Sequence, residues 1–263
     1  MLRERLDALV RNTPIESRLA RDPLRFARRF SARADQEVAA FLGAMLAFGR
    51  VELFGAVLER IFEAAEGRPA DFVTRGDFRA IRGLYYRWHP SEDIADLCAL
   101  AGRATREGGF ERLFVGRDTT ERLTVAIDQL RAWSPARASF RRFLPSPRDG
   151  SAMKRWCLYL RWMVRVEEPD LGLWRSFSPA SLVIPLDTHV FRISRLLGLV
   201  SRATPGWAAA VELTRALARL DAADPLRYDF ALAHLGISGE CLGRRDDAIC
   251  PACPLSDICQ AGR

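Results

Sequence analysis

The sequence predicts an all-α fold, and three observations carry that expectation. Apolar residues recur at helical spacing almost throughout, no run alternates with the period of two of a half-buried strand, and Gly, Pro and Ser clusters break the chain between the helical stretches. Nearly half of the 263 residues are apolar, enough for a substantial core, and there is no internal repeat or low-complexity tract. No stretch approaches the roughly 18 uncharged apolar residues of a membrane span. The opening Met1-Leu2-Arg3-Glu4-Arg5 leads into no hydrophobic signal region. The expectation is a cytoplasmic protein, monomeric, with no membrane partner.

Residues 1–31 read as short amphipathic helices carrying several arginines. Asp35 is placed to N-cap a helix from Gln36 to Phe48, ended by Gly49. The run from Val38 to Phe48 is apolar on all sides, which marks that helix as central. Further helices are expected at about 51–66, 77–88, 91–106 and 118–132, with breaks at Gly67-Arg68-Pro69, Gly108-Gly109 and Ser134-Pro135.

The segment Leu144-Pro145-Ser146-Pro147-Arg148-Asp149-Gly150-Ser151 reads as a turn, and a strong helix starts near Ala152. On it Met153, Trp156, Cys157, Leu160, Met163 and Val164 form one apolar stripe, while Lys154, Arg161 and Arg165 share another. Residues 166–186, broken by Pro169, Gly172, Ser178-Pro179 and Pro185, read as a long connection. Asp187 is then the N-cap of a helix whose core positions are Val190, Ile193 and Leu197, closed by Gly198.

The net charge is +7, from 40 Lys plus Arg against 33 Asp plus Glu. That balance fits a polyanionic partner, although a merely solvated basic face gives the same sum. Lys154 is the single lysine of the chain. Arginine cannot replace an amine that must deprotonate and attack carbon. The first turn of a helix, beside Arg155, suits a nucleophilic amine. The bland alternative is a leftover of an arginine-rich genome on a solvent-facing stripe.

Four of the six cysteines, Cys241, Cys250, Cys253 and Cys259, fall in the last stretch with spacing C-x8-C-x2-C-x5-C. A tetrahedral zinc site usually shows two CxxC or CxxH knuckles, and this segment has one. Unevenly spaced thiols suit a [4Fe–4S] cluster reached from an irregular loop. Pro251 and Pro254 fix φ on that loop and keep it from becoming helix. The spacing favours [4Fe–4S] over zinc, and either over four unligated thiols. Cys98 and Cys157 lie on apolar helix faces and read as core thiols.

The cysteine tail resembles the cluster loop of endonuclease III and the adenine glycosylases, members of the helix–hairpin–helix superfamily of DNA glycosylases, with a longer first spacer here. The stretch Leu186-Asp187-Thr188-His189-Val190-Phe191-Arg192 is similar to the V-D-T-H-[IV]-x-R stretch of the same superfamily, whose Asp is catalytic. The resemblance covers residues 184–263 well and Phe41–Arg50 loosely. It implies a two-domain, all-α glycosylase architecture with a C-terminal [4Fe–4S] loop. Residues 32–165 would form a central helical domain ending in the hairpin and the lysine helix. Residues 1–31 and 166–263 would form the cluster domain, with the active site in the cleft between them.

In bifunctional members a lysine after the hairpin attacks the sugar carbon C1′, and Lys154 holds the corresponding turn-then-helix position. Its separation from Asp187 is longer than in endonuclease III and closer to that of the archaeal 8-oxoguanine glycosylases. The family hairpin reads L-P-G-V-G-x-x-T-A, its glycines offering backbone N–H groups to a phosphate. Here the turn keeps one glycine, and its second proline removes a donor. Adenine glycosylases carry a Glu on the helix matching 36–48, where this chain has Gly43 or a neighbour, which argues against monofunctional adenine removal.

The function implied is excision of a damaged, by expectation oxidised, base from double-stranded DNA. Lys154 would be the nucleophile of an AP lyase and Asp187 the stabilising carboxylate. DNA contacts would come from Gly150, Ser151, Arg155, Arg161, Arg244 and Arg245. Phe48, Trp156 and Trp162 are stacking candidates, with core packing the simpler role for each. His189 and His234 read as structural, and His89 as touching DNA or nothing. A protein of the same fold that binds or senses damaged DNA without catalysis is the alternative, and a zinc-bound structural module is a third reading.

Overall fold

The computed structural model describes residues 1–261, and among them every regular element is helical, apart from one isolated β-bridge between Tyr86 and His89. The all-α expectation holds. In chain order the α-helices are α1 (Leu2–Asn12), α2 (Ile15–Leu19), α3 (Leu24–Ala27), α4 (Arg33–Leu46), α5 (Val51–Ala64), α6 (Pro69–Arg75) and α7 (Ser91–Arg106). They continue as α8 (Thr119–Trp133), α9 (Ala138–Arg141), α10 (Lys154–Val164), α11 (Thr188–Leu196), α12 (Trp207–Ala218) and α13 (Asp229–Ile237). Among the described residues no helix is long and apolar enough to cross a membrane.

The chain divides into two compact units: residues 1–18, 150–161 and 177–263 in one, residues 19–149 and 162–176 in the other. The sequence placed the joins at 31/32 and 165/166. The units instead group 150–161 with the chain ends and 162–176 with the middle.

In the unit built on residues 19–149, α4 is the centre. Its residues from Val38 to Leu46 are buried on every side, and α3, α5, α6 and α7 pack around it. Asp35 does not cap α4, which starts two residues earlier at Arg33. Its Oδ1 accepts the Ala70 N–H at 2.8 Å, so it caps α6 from a distance. Pro69, read as part of a break, is the first residue of α6, where its missing N–H costs nothing.

The helix expected over 77–88 does not form. A short 3₁₀ turn covers Arg79–Ile81, with Asp77 Oδ1 taking the Arg79 N–H at 3.1 Å. Gly83 gives its N–H to Ser91 Oγ at 2.8 Å, and Tyr86 and His89 exchange backbone bonds of 3.0 and 2.9 Å around a left-handed Arg87. Local side-chain bonds and the residue before Pro90 outweigh the apolar periodicity here.

α6 and α7 approach closely because Gly102 has no side chain; a Cβ there would sit 1.9 Å from the Val73 carbonyl oxygen. Gly102→Ala must push two helix backbones apart. It is expected to cost about 3 kcal/mol and lower the thermal midpoint by roughly 5–10 °C, and an unchanged midpoint would show that the pair separates freely.

Glu37 on α4 accepts the Trp174 indole N–H at 2.6 Å, and burial raises its pKa above the usual 4.5 despite that bond. Folded chains therefore hold this proton to higher pH than unfolded ones. Its contribution to stability is present at low pH and lost as pH rises through the folded value. Glu37→Gln, which keeps an acceptor for the indole, is expected to match the parent near pH 4 and to be the more stable protein near pH 7. Denaturant midpoints across that range test this, and a parent-like pH slope in the variant would contradict it.

In the other unit α11 packs on α13, and α12 packs on the short turn Pro225–Tyr228, which also meets α1. Tyr228 donates its hydroxyl to Asp7 Oδ1 at 3.1 Å, tying α1 to that turn.

Candidate functional site

α10 begins immediately after a strained residue. Met153 has φ +55°, in the left-handed region that non-glycine residues rarely enter, and its side chain is buried. Its N–H bonds Ser151 Oγ at 3.2 Å, and its carbonyl accepts the Cys157 N–H at 2.9 Å. This buried, left-handed step sets where the helix starts and so the direction in which Lys154 leaves the backbone.

Asp187 is the N-cap of α11, as its sequence context predicts. Oδ1 accepts the Val190 N–H at 2.8 Å. The second oxygen, Oδ2, lies 3.5 Å from Lys154 Nζ. Lys154 is 39% exposed and Asp187 12%, so the amine can be reached from solvent while the carboxylate is largely covered. Both belong to the same compact unit. His189, two residues on, packs under α13: a Cβ on Gly236 would lie 2.5 Å from His189 Cβ, so Gly236 is the residue that lets the two helices meet.

Lys154, Arg161 and Arg165, read as one stripe of α10, differ in exposure: Lys154 is reached by solvent and the two arginines are buried. Arg161 is buried and ion-paired with the buried Asp229, and Arg165 is buried against Asp170. Arg161 is therefore withdrawn as a DNA contact, because its charge is neutralised inside the unit. Arg161→Met is expected to cost about 3–5 kcal/mol by removing one partner of a buried ion pair, read as a lower denaturant midpoint; lost duplex affinity at parental stability would return Arg161 to the DNA face. Arg155 is half-buried, and burial lowers its guanidinium to about 10, still charged at neutral pH.

The turn before α10 bonds to itself. Asp149 Oδ2 accepts the Ser146 N–H at 2.9 Å, Ser146 Oγ accepts the Arg148 N–H at 3.3 Å, and the Ser146 carbonyl accepts the Asp149 N–H at 3.0 Å. Pro147 has no N–H to offer. Gly150 is exposed and Ser151 half-buried, and the Gly150 carbonyl accepts the Trp207 N–H at 3.2 Å.

Cys241, Cys250, Cys253 and Cys259 line one recess of about 330 Å³, together with Leu196, Leu242 and Ile249. Burial raises the thiols of Cys241 and Cys253, and the neighbouring sulfurs add to that rise. Backbone N–H groups point at the sulfurs: Gly243 to Cys241 at 3.4 Å and Asp246 to Cys250 at 3.3 Å. Among the described residues no group of three or more His, Cys, Asp or Glu side chains is arranged to hold a metal ion as the side chains stand. The donor set nevertheless fits a thiolate-held group: four sulfurs on one recess, with N–H donors that favour the ionised form. Arg244 and Arg245 are exposed on this loop, and Arg245 pairs with Asp247 at 3.0 Å.

Trp156 and Trp162 are fully buried and serve the core, as do Cys98 and Cys157. His89 is buried too, its Nδ1 3.2 Å from Asp93 Oδ2 and its ring stacked 3.8 Å from Phe143. His234 is likewise buried. The sequence reading singled out His89 in the run Tyr85–Pro90, but that ring is buried and the run exposes Trp88. Trp88 is 46% exposed, stacks on Phe48 with centroids 5.2 Å apart, and carries the guanidiniums of Arg87 and Arg142 at 4.7 and 5.4 Å. The run Tyr-Tyr-Arg-Trp-His-Pro was the available signal, and its assignment to a helix hid which of its rings face solvent.

No curated protein and no solved structure matches the chain. The model of the family described as "Protein of unknown function (DUF2400)" matches residues 22–238, a span that takes in Lys154 and Asp187 and ends just before Cys241, and the chain belongs to that family.

Proposed function

We propose that this protein is a DNA base-excision glycosylase with AP-lyase activity, of the helix–hairpin–helix architecture, acting on an oxidised or otherwise damaged base in duplex DNA. The observation that carries the reading is the placement of the only lysine 3.5 Å from the N-cap carboxylate Asp187. Lys154, after giving its ammonium proton to water, attacks C1′ of the damaged nucleotide. The glycosidic C–N bond breaks, and its electron pair leaves with the base, which takes up a proton. Positive charge develops on the sugar ring, and the Asp187 carboxylate stabilises it. The adduct nitrogen gives up a proton, the C1′–O4′ bond breaks as O4′ takes one up, and the Schiff base forms; loss of a C2′ proton then expels the 3′ phosphate and cuts the strand.

The target base must leave the stack to be reached. The exposed Trp88 with its flanking arginines supports a nucleic-acid partner, since aromatic and guanidinium faces stack on bases. Cys241, Cys250, Cys253 and Cys259 would hold a [4Fe–4S] cluster, which when bound supplies a rigid anchor for the loop and a one-electron redox centre.

A second reading rests on the same contact. A Lys–Asp ion pair at two helix starts is also an ordinary structural bridge, as in a damage-binding protein without catalysis. Borohydride trapping on duplexes carrying oxidised, deaminated or alkylated bases separates the two, because only the Schiff-base enzyme becomes covalently attached. Binding without trapping on any substrate would leave the non-catalytic reading.

A further inference from the structure

The Ser146–Asp149 turn engages three of its own N–H groups, so a phosphate meets few donors there. The same compact unit holds a different cationic feature. Arg60, near the end of α5, and Arg82, just past the Arg79–Ile81 turn, line one open recess of about 380 Å³ with Ile81, Gly83 and Leu84. α5 packs directly on that turn, which keeps the two arginines on one surface.

Neighbouring cations are already neutralised: Arg29 grips Glu59 with bonds of 3.0 and 2.6 Å, and Arg79 holds Asp77 at 2.6 Å. Arg60 has only an exposed, long contact with Glu63 at 3.8 Å. Arg82 makes no ion pair among the described residues. The backbone N–H groups of Ile81, Arg82, Gly83 and Leu84 are all bonded elsewhere, to Phe78, Arg79, Ser91 and Ile81. A ligand in the recess would therefore meet guanidinium forks, whose geometry suits an oxyanion such as phosphate.

We propose that Arg60 and Arg82 form a phosphate-binding subsite, filled either by a backbone phosphodiester of nucleic acid or by a free phosphate. The recess immediately precedes the Tyr85–His89 turn in the chain, so a strand with a phosphate there has the Trp88 ring within the next few residues of the protein. The duplex form of the proposal rests on the nucleic-acid part of the reading above and is independent of Lys154 chemistry.

The test uses the full-length protein, an undamaged duplex and inorganic phosphate, with Arg60→Gln, Arg82→Gln, the double variant and Arg75→Gln as an exposed control. Unchanged thermal midpoints confirm folding. For a phosphodiester site, the double variant binds duplex about tenfold more weakly, and the slope of log K against log salt falls by about 0.9, while Arg75→Gln changes less. For a free-phosphate site, calorimetric binding of inorganic phosphate is lost in the double variant and duplex affinity is unchanged. Parental duplex affinity, salt slope and phosphate binding in the double variant would overturn the proposal. Failure of the parent to trap on any damaged duplex would overturn the lyase reading alone.

Discussion

Lys154→Gln is expected to abolish borohydride trapping on a damaged duplex and to lower strand scission by at least ~10³-fold, since the variant has no amine to form the adduct. Glutamine keeps a helix-compatible side chain of similar length in the first turn of α10, so stability should change little. Asp187→Asn is its partner experiment. Asn still accepts the Val190 N–H and preserves the cap that Oδ1 makes at 2.8 Å. The substitution therefore removes the charge facing Lys154 without removing the cap. Base release is expected to slow by about 10²–10³-fold, with duplex affinity near the parental value. Parental nicking by Lys154→Gln would place the nucleophile elsewhere. Loss of duplex affinity in Asp187→Asn, rather than of rate, would make the carboxylate a binding group.

Replacing any one of Cys241, Cys250, Cys253 or Cys259 by Ala is expected to strip iron and labile sulfide from the purified protein and bleach its visible absorbance. The compact unit that carries the loop should lose roughly 5 kcal/mol or more, because binding of a thiolate-held group doubles as folding free energy. Cys98→Ala and Cys157→Ala, which remove one buried sulfur each, should cost about 1 kcal/mol and leave the iron content intact. Elemental analysis decides between groups: iron with sulfide supports the cluster, zinc alone supports a structural ion, and neither metal with four titratable thiols refutes both.

What could be read from the sequence follows the range of the interaction concerned. Asp187 was legible as an N-cap because its carboxylate bonds an N–H three residues away. The burial of α4 was legible because helical periodicity is local. Asp35 was misplaced because the helix it caps begins at Pro69, far along the chain. Arg161 and Arg165 were read as a polar stripe with Lys154, but Asp229, the buried carboxylate that pairs with Arg161, is invisible to periodicity. The 77–88 segment failed for the opposite reason: Asp77, Gly83 and the residue before Pro90 make short-range bonds and restrictions that a helical pattern does not count. The nearness of Lys154 and Asp187 came from resemblance alone, since no local rule joins two helix starts so far apart in sequence.

The two oxygens of Asp187 face different groups, Oδ1 the Val190 N–H and Oδ2 the Lys154 amine. A rotation of that carboxylate large enough to release the amine also frees the first turn of α11. The Val190 amide proton thus becomes a spectroscopic reporter of the site. Its exchange with deuterium should slow when a ligand locks the carboxylate and quicken when the lysine is removed, independently of any turnover.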